Sequence, residues 1–483
     1  MVFSSYLFIF YFLPVALMLY YAAPRRAQHL VLTSASYFFY GWANPLFVPL
    51  LLASTAIDYV AGLVIGRYPS QTRPDMAPGA STRRPRPARL ALMASICSNL
   101  ALLGFFKYFN FAAESLDALA DAMGLPALRL DVAFKVTLPL GISFYTFQSM
   151  SYTIDVYRGQ AAAIRNFIDF ACYVSMFPQL VAGPIIRFSE VADQLLSRTH
   201  TATKFARGVA FFCVGLAKKI LLANPCGKIA DLAFDAGSLG PLEAWYGVTA
   251  YAFQIYFDFS GYSDMAIGLG LMLGFVFPKN FDSPYRSQSI TEFWHRWHIS
   301  LSTWLRDYLY LPLGGSRKGR ARTYANLAIV MVLGGLWHGA AWNFATWGAI
   351  HGALLAFERL RGKAAIYASF PAPVRVAATF AIVLVSWVFF RASDLPQALR
   401  YLGDMLALGS PQDGAALLHG IVYQPYYLGT FLVSGTIVWT APQTWDWTRT
   451  LTLPKVAAIL ALFALATVVL TTQAFNPFIY FIF

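Results

Sequence analysis

Apolar runs close to the length of a bilayer recur along this whole chain, and the charges between them are too sparse to cover a water-facing surface. Such runs fall at roughly 5–23, 29–43, 45–66, 89–108, 133–154, 167–186, 206–224, 244–276, 325–345, 347–358, 372–391, 423–441 and 456–475. A helix of ~20 residues crosses the hydrocarbon core. Only 12% of the 483 residues are charged, against about 25% in an average soluble domain. The backbone in lipid must satisfy its own hydrogen bonds, and helices do this within one segment. The expected fold is an all-α polytopic membrane protein with about 11–13 membrane segments. The 17% of aromatic residues suits interfacial belts and tightly packed bundles.

The formal net charge is +13, but Lys and Arg cluster in a few loops. The preference for basic loops on the cytoplasmic face accounts for that excess without nucleic acid. A polar loop at 67–88, with Arg67, Arg73, Arg83, Arg84 and Arg86, is expected in the cytoplasm and partly disordered; a basic, amphipathic region at 279–322 is expected on the same side. The opposite side takes 110–130, with Glu114, Asp117 and Asp121, and 392–420. Residues 1–23 are apolar with no basic residue ahead of them, and Arg25 and Arg26 follow. That order argues for an uncleaved first helix with its N-terminus outside. The four cysteines, Cys97, Cys172, Cys213 and Cys226, show no C-x-x-C spacing, so neither a disulfide framework nor a metal site is expected. No internal repeat is visible, and 1–483 reads as a single membrane-embedded domain.

Two segments fit poorly as plain spans. In 167–186, Pro178 and Pro184 interrupt the helix and basic residues flank both ends, which predicts a re-entrant segment. Such broken backbone is tolerated only where protein or a water-filled cavity satisfies it. The stretch 290–312 sets Trp294, Trp297 and Trp304 among charges, which suits a helix lying at the interface.

Four of the seven histidines lie between residues 295 and 351. His338 sits inside an apolar run, flanked by Gly334, Gly335, Gly339, Ala340 and Ala341. An ionisable group at membrane depth is a functional-site hypothesis by default, and imidazole suits proton transfer near neutral pH. His338 is therefore the leading candidate for a general base or acid, against a structural histidine bonded to a neighbouring helix. Asn343 is five residues on, about 140° around a straight helix, and His351 is off the His338 face as well. A break near 342–343 would bring them together, and His351 is either a direct participant or a packing residue. His298 reads as a site residue or an interfacial anchor. His295 and His298 with Glu292 form E-x-x-H-x-x-H, which lacks the further ligands a metal needs. Arg317, Lys318 and Arg320 follow a Gly-Gly turn; they could hold a phosphate-rich ligand or serve as topology signal only. Gln254, Asp258 and Tyr262 share one helix stripe. Asp258 and Asp264 want partners, most plausibly Arg or a hydroxyl, and their role is structural, orienting or proton-conducting.

The run F-W-H-R-W-H-I-S-L-S-T-W-L-R-D-Y-L-Y-L-P-L-G-G at 293–315, with G-G-L-W-H-G-A-A-W-N-F-A-T-W-G-A-I-H-G at 334–352, resembles the membrane-bound O-acyltransferases. D-F-S-G-Y-S-D-M-A-I-G-L-G at 258–270 and F-P-Q-L-V-A-G-P-I-I-R-F at 177–188 are similar to the bacterial AlgI-type alginate O-acetyltransferases. The resemblance covers nearly the whole chain and is weakest in 67–88 and 392–450. It implies a helical bundle around a central funnel, with some segments re-entrant. It also implies O-acetyl transfer from cytoplasmic acetyl-CoA, across a bacterial inner membrane, to an exopolysaccharide hydroxyl by way of a periplasmic partner. No permanently bound cofactor or metal is expected. His338 in W-H-G maps to the family's near-invariant histidine and is the implied base. His298 in R-W-H-I-S maps to the second, to orient the acceptor or stabilise the oxyanion, and His351 is a third recurrent position. Asn343, Asp258 and Trp337 are expected in support. The family commonly has Arg where this chain has His295. The rival readings are a transporter that moves an acyl group or glycan without chemistry, and a scaffold for a periplasmic enzyme. Transporters often carry paired broken helices in two related halves, and no such halves are visible here.

Overall fold

The computed structural model describes residues 1–68, 84–362, 364–408, 420–473, 475–477 and 479. Residues 69–83 of the expected polar loop and 409–419 of the expected opposite-side segment lie outside the described residues. The described chain is helical and contains no strand. It forms two compact units, one of Met1–Thr201 with Leu273–Phe277, the other of Ala202–Met272 with Pro278–Phe483.

The first unit holds α1 (Leu13–Ala22), α2 (Gln28–Gly41), α3 (Phe47–Gly66), α4 (Arg86–Ala122), α5 (Ile142–Arg158), α6 (Phe167–Ser175), α7 (Phe177–Leu180) and α8 (Phe188–Leu196). The expected span at 167–186 is broken twice, at Met176 and after Leu180. α6 has nine residues, or about 14 Å of rise, too short to cross a bilayer. The broken backbone stays buried and takes its partners from side chains. Phe177 N donates to Ser36 Oγ at 3.0 Å, Phe188 N donates to Ser151 Oγ at 3.1 Å, and Tyr173 Oη donates to Ile186 O at 3.0 Å. Arg84, inside the expected polar loop, is buried, and its guanidinium donates to Ile65 O, Tyr68 O and Val156 O near the ends of α3 and α5. Ile65 and Val156 lie in the last turns of α3 and α5, where carbonyls commonly take donors from outside the helix.

The second unit holds α9 (Ala202–Ala217), α10 (Asn224–Asp235), α11 (Pro241–Met272), α12 (Ile290–Arg296), α13 (Ile299–Leu305), α14 (Arg320–His338) and α15 (Trp342–Leu360). It continues through α16 (Ala372–Arg391), α17 (Leu395–Met405), α18 (Pro425–Thr440), α19 (Thr444–Trp447) and α20 (Leu453–Thr472). Four of the described helices, α3, α4, α16 and α20, are long and apolar enough to cross a membrane. The expected span at 244–276 is realised as α11, whose residues 251–272 are all buried. A helix wrapped in protein does not need a lipophilic surface, which is why α11 tolerates Gln254, Asp258 and Asp264. A hydropathy window does not separate such a helix from a lipid-facing one.

Glycine sets the closest approaches. Gly208 and Gly215 on α9 meet Gly268 and Gly261 on α11 so closely that an added Cβ would collide with the opposite backbone. Gly335 on α14 meets Gly348 on α15 in the same way. Small residues at these crossings let backbones touch and give packing that apolar side chains in lipid cannot otherwise supply.

Candidate active site

His338 is the last residue of α14. Residues 339–341 are non-helical, Gly339 ends the helix in extended backbone, and α15 begins at Trp342. The anticipated break is therefore present, a few residues before Asn343. It folds α15 back so that Trp347 lies between two histidines, its ring 5.6 Å from His338 and 4.9 Å from His351.

The stretch expected as one interfacial helix is instead two short helices hinged at His298, which takes a left-handed backbone with φ 43°. Such a conformation is strained for a side chain as bulky as histidine, and it is commonly held in place by the surroundings of a functional site. Trp297 and Trp304 are buried rather than interfacial. The hinge is pinned by Asn280. Its backbone carbonyl accepts from Ile299 N at 2.9 Å, and its Oδ1 accepts from Ser300 N at 3.3 Å and from Ser300 Oγ at 2.9 Å. Because a backbone N–H must donate, Asn280 Oδ1 is an acceptor. The His298 Nδ1 that approaches it at 3.1 Å therefore carries the proton. That leaves a bare lone pair on His298 Nε2, which is buried with no hydrogen-bond partner. The His298 and His338 rings are 6.4 Å apart between centroids.

His351 is placed differently. Trp294 Nε1 donates to its Nδ1 at 3.2 Å and its Nε2 lies 3.1 Å from Ser386 Oγ. Since the indole can only donate, Nε2 carries the proton, and both ring nitrogens are engaged. Asn343 points away from the histidines, donating to Phe389 O and Ala392 O at the end of α16. Trp337 packs 5.0 Å from His338 and 6.2 Å from His298. Asp258 pairs with the buried Lys219 at 2.8 Å, and Asp264 with Lys218 and Thr444 Oγ1, each at 2.7 Å. The expected partners were Arg or a hydroxyl; lysine, whose compact ammonium fits beside a helix, takes the first place.

A cavity of about 530 Å³ reaches His338, with Trp294, His295, Arg306, Tyr310 and Arg359 among its lining residues. That is within the usual range for small-molecule sites. Arg317, Lys318 and Arg320 are outside this lining, on the exposed turn and helix start that follow. A second cavity of about 10 Å³ touches His338 and is walled by Phe259, Trp297, Trp347, Trp387, Phe390 and Ile479, among others. It holds roughly one water-sized probe.

Sequence reasoning missed Asn280, Lys219, Glu358 and the tail residue Ile479. The signal for Lys219 was a pair of adjacent charges, Lys218 and Lys219, inside an apolar run, and for Glu358 an acidic residue closing one. Glu358, on α15, is buried and accepts from Ile290 N and Thr291 N at 2.8 Å each and from Thr291 Oγ1 at 2.6 Å. It thereby caps α12 and fixes where His298 sits. Glu358→Ala strands two backbone donors and is expected to cost about 1–3 kcal/mol each. The check is the unfolding midpoint of detergent-purified protein, with Glu358→Gln, which keeps one acceptor oxygen, losing less.

The comparisons with known proteins agree with the motifs. The membrane-bound O-acyltransferase family model matches residues 128–390. The probable alginate O-acetylase AlgI of Pseudomonas putida is 45% identical over 503 residues, covering all of both chains. The peptidoglycan O-acetyltransferase of Helicobacter pylori is 37% identical over 454 residues, 87% of this chain and 81% of that one. A teichoic acid D-alanyltransferase of Streptococcus thermophilus is 30% identical over 231 residues, 44% of this chain and 55% of its own. With apolar helices long enough to cross a bilayer and a match that takes in both histidines of the hinge and the α14 terminus, the chain belongs to the membrane-bound O-acyltransferase family and is a multi-pass membrane acyltransferase.

Proposed function

We propose that this acyltransferase takes acetyl from cytoplasmic acetyl-CoA and passes it across a bacterial inner membrane for periplasmic O-acetylation of an exopolysaccharide, alginate. The observation that carries the reading is that His338, with His298 beside it, lines a cavity large enough for the arm of an acyl thioester. Relatives named as alginate O-acetylases support the choice of polymer.

In this reading His338 is the general base. It takes the proton of the acceptor hydroxyl as that oxygen attacks the thioester carbonyl. The C–O bond forms, the C–S bond breaks, and the proton passes to the departing CoA thiolate. His298 can accept a hydrogen bond from a second hydroxyl of the acceptor through its bare Nε2 and so orient it; in this tautomer it has no N–H to offer an oxyanion. His351, Trp337 and Asn343 act by holding the surrounding helices. The 10 Å³ cavity beside His338 takes the acyl methyl, which favours acetyl over longer groups. Arg306 and Arg359 face the CoA phosphates from the cavity wall, with Arg317, Lys318 and Arg320 as outer contacts. A periplasmic protein receives or relays the group.

Membranes containing the protein, given acetyl-CoA and an acceptor polymer, are expected to release free CoA and to acetylate the polymer in step. Acetyl-CoA that stays intact while polymer acetylation needs a separate enzyme would sink this reading.

A further inference from the structure

Acyl transfer to a hydroxyl builds negative charge on the carbonyl oxygen, and a fixed donor at that oxygen is usually the largest single contribution to rate. His298 offers none, because its one proton sits on Nδ1 beside Asn280. Trp347 has an N–H to give. The residue is 1% exposed, and its indole Nε1 is buried with no hydrogen-bond partner. Neighbouring indoles are already engaged. Trp294 Nε1 donates to His351 Nδ1 at 3.2 Å and Trp387 Nε1 to Tyr285 Oη at 3.1 Å. Buried N–H groups are nearly always paired, and one left without a partner calls for an explanation.

The second observation is where this ring stands. The 530 Å³ cavity and the 10 Å³ cavity are both lined by His338 and Trp347. These two side chains therefore lie where the space for the thioester arm meets the space for the acyl methyl. An acetyl thioester that spans the two has its sulfur on one side and its methyl on the other. Its carbonyl carbon then lies beside both rings. Stacked neighbours hold the Trp347 ring in place. It stands at 89° to the His338 ring with centroids 5.6 Å apart, lies within 13° of parallel to Trp387 at 5.8 Å, and meets Phe390 at 4.9 Å. The close crossing of Gly335 and Gly348 fixes the helices that carry the pair. A donor fixed in advance costs no reorganisation at the moment of reaction.

We infer that Trp347 is the oxyanion donor of the transfer, its Nε1–H donating to the carbonyl oxygen as the tetrahedral centre forms. The inference rests on the acetyl transfer proposed above. The acceptor oxygen bonds to the carbonyl carbon while its proton passes to His338, and the C=O electron pair moves onto the oxygen beside Trp347. When that pair returns, the C–S bond breaks and the thiolate leaves with the proton from His338. The indole keeps its own proton throughout.

The test compares Trp347→Phe with a second variant carrying 3-benzothienylalanine at position 347, which keeps the shape of the indole and puts sulfur in place of the N–H. CoA release and polymer-bound acetyl are measured in membranes given acetyl-CoA and acceptor polymer, and unfolding is measured in detergent. Both variants are expected to lose about 10²–10³-fold in kcat, with KM for acetyl-CoA nearly unchanged. The loss should be the same at every pH, since the indole does not titrate. The unfolding midpoint of the benzothienyl variant should not fall, because the N–H it removes has no partner to strand. Should Trp347→Phe fail to fold, the benzothienyl variant decides alone. A benzothienyl variant as fast as the native protein overturns the inference. So does a loss confined to KM, which makes Trp347 a wall of the cavity and no more. Native membranes that release no CoA overturn the transfer itself; native membranes that do, with an equally fast variant, overturn only the role of Trp347.

Discussion

Replacing His338 by alanine is expected to lower acetyl transfer by about 10²–10⁴-fold, the usual worth of a positioned general base, while the protein still reaches the membrane in normal amount. The loss should appear in kcat with little change in KM, because the imidazole acts on the hydroxyl proton and not on the CoA moiety. His338 packs against Trp337, Phe390 and Trp347, with ring centroids 5.0, 5.2 and 5.6 Å away. Alanine therefore opens a gap as well as removing a base. His338→Gln fills more of that gap and should be as inactive, which separates chemistry from packing. His298→Ala should also impair kcat. Asn280→Ala should impair it less, by about tenfold, since it only frees His298 to adopt the other tautomer and to leave its strained backbone. The measurement is polymer-bound acetyl per unit of membrane protein. Transfer that survives in both His338 variants would make His338 a packing residue and leave His298, with its bare Nε2, as the base.

The apolar runs, the isolated His338 and the small residues around it were readable directly, because hydropathy and residue size are local properties. The pairing of His298 with His338 came only from the resemblance, since forty residues separate them and no periodicity links them. The hinge at His298 was hidden by the amphipathic pattern of 290–312, which a straight helix fits equally well. What breaks it is Asn280, eighteen positions upstream, whose hydrogen bonds compete with helix continuation. Asn343 looked like a partner for the histidine by its nearness in sequence, yet its amide nitrogen donates to the end of α16. For His351 the motif left a direct or a packing role open, and the engagement of both its ring nitrogens by Trp294 and Ser386 was not readable from spacing.

Asp258 offers the second large effect, and its direction depends on which partner is removed. Its pair with Lys219 is 1% exposed on both sides. Removing Asp258 alone leaves an ammonium buried without a counter-charge, which costs about 3–5 kcal/mol. Asp258→Leu should therefore be depleted from the membrane or unfold at a much lower temperature. Lys219→Met alone should behave alike, with a stranded carboxylate. Combining them removes both charges, and buried pairs replaced by apolar residues of similar size are often neutral in stability, so the double variant should return to the membrane. Its activity separates two roles. Asp258 Oδ2 accepts from Ile479 N at 3.0 Å, Lys219 donates to Pro477 O, and Asn224 donates to Phe475 O at 3.3 Å. The pair thus anchors the tail residue that walls the small cavity beside His338. Without that anchor Ile479 no longer defines the cavity, and the double variant should be stable yet slower than the native protein, with poorer discrimination between acetyl and longer acyl groups. A double variant that is stable, fully active and unchanged in acyl preference would confine the pair to holding α11 against the segment before α10 and remove the tail from the chemistry.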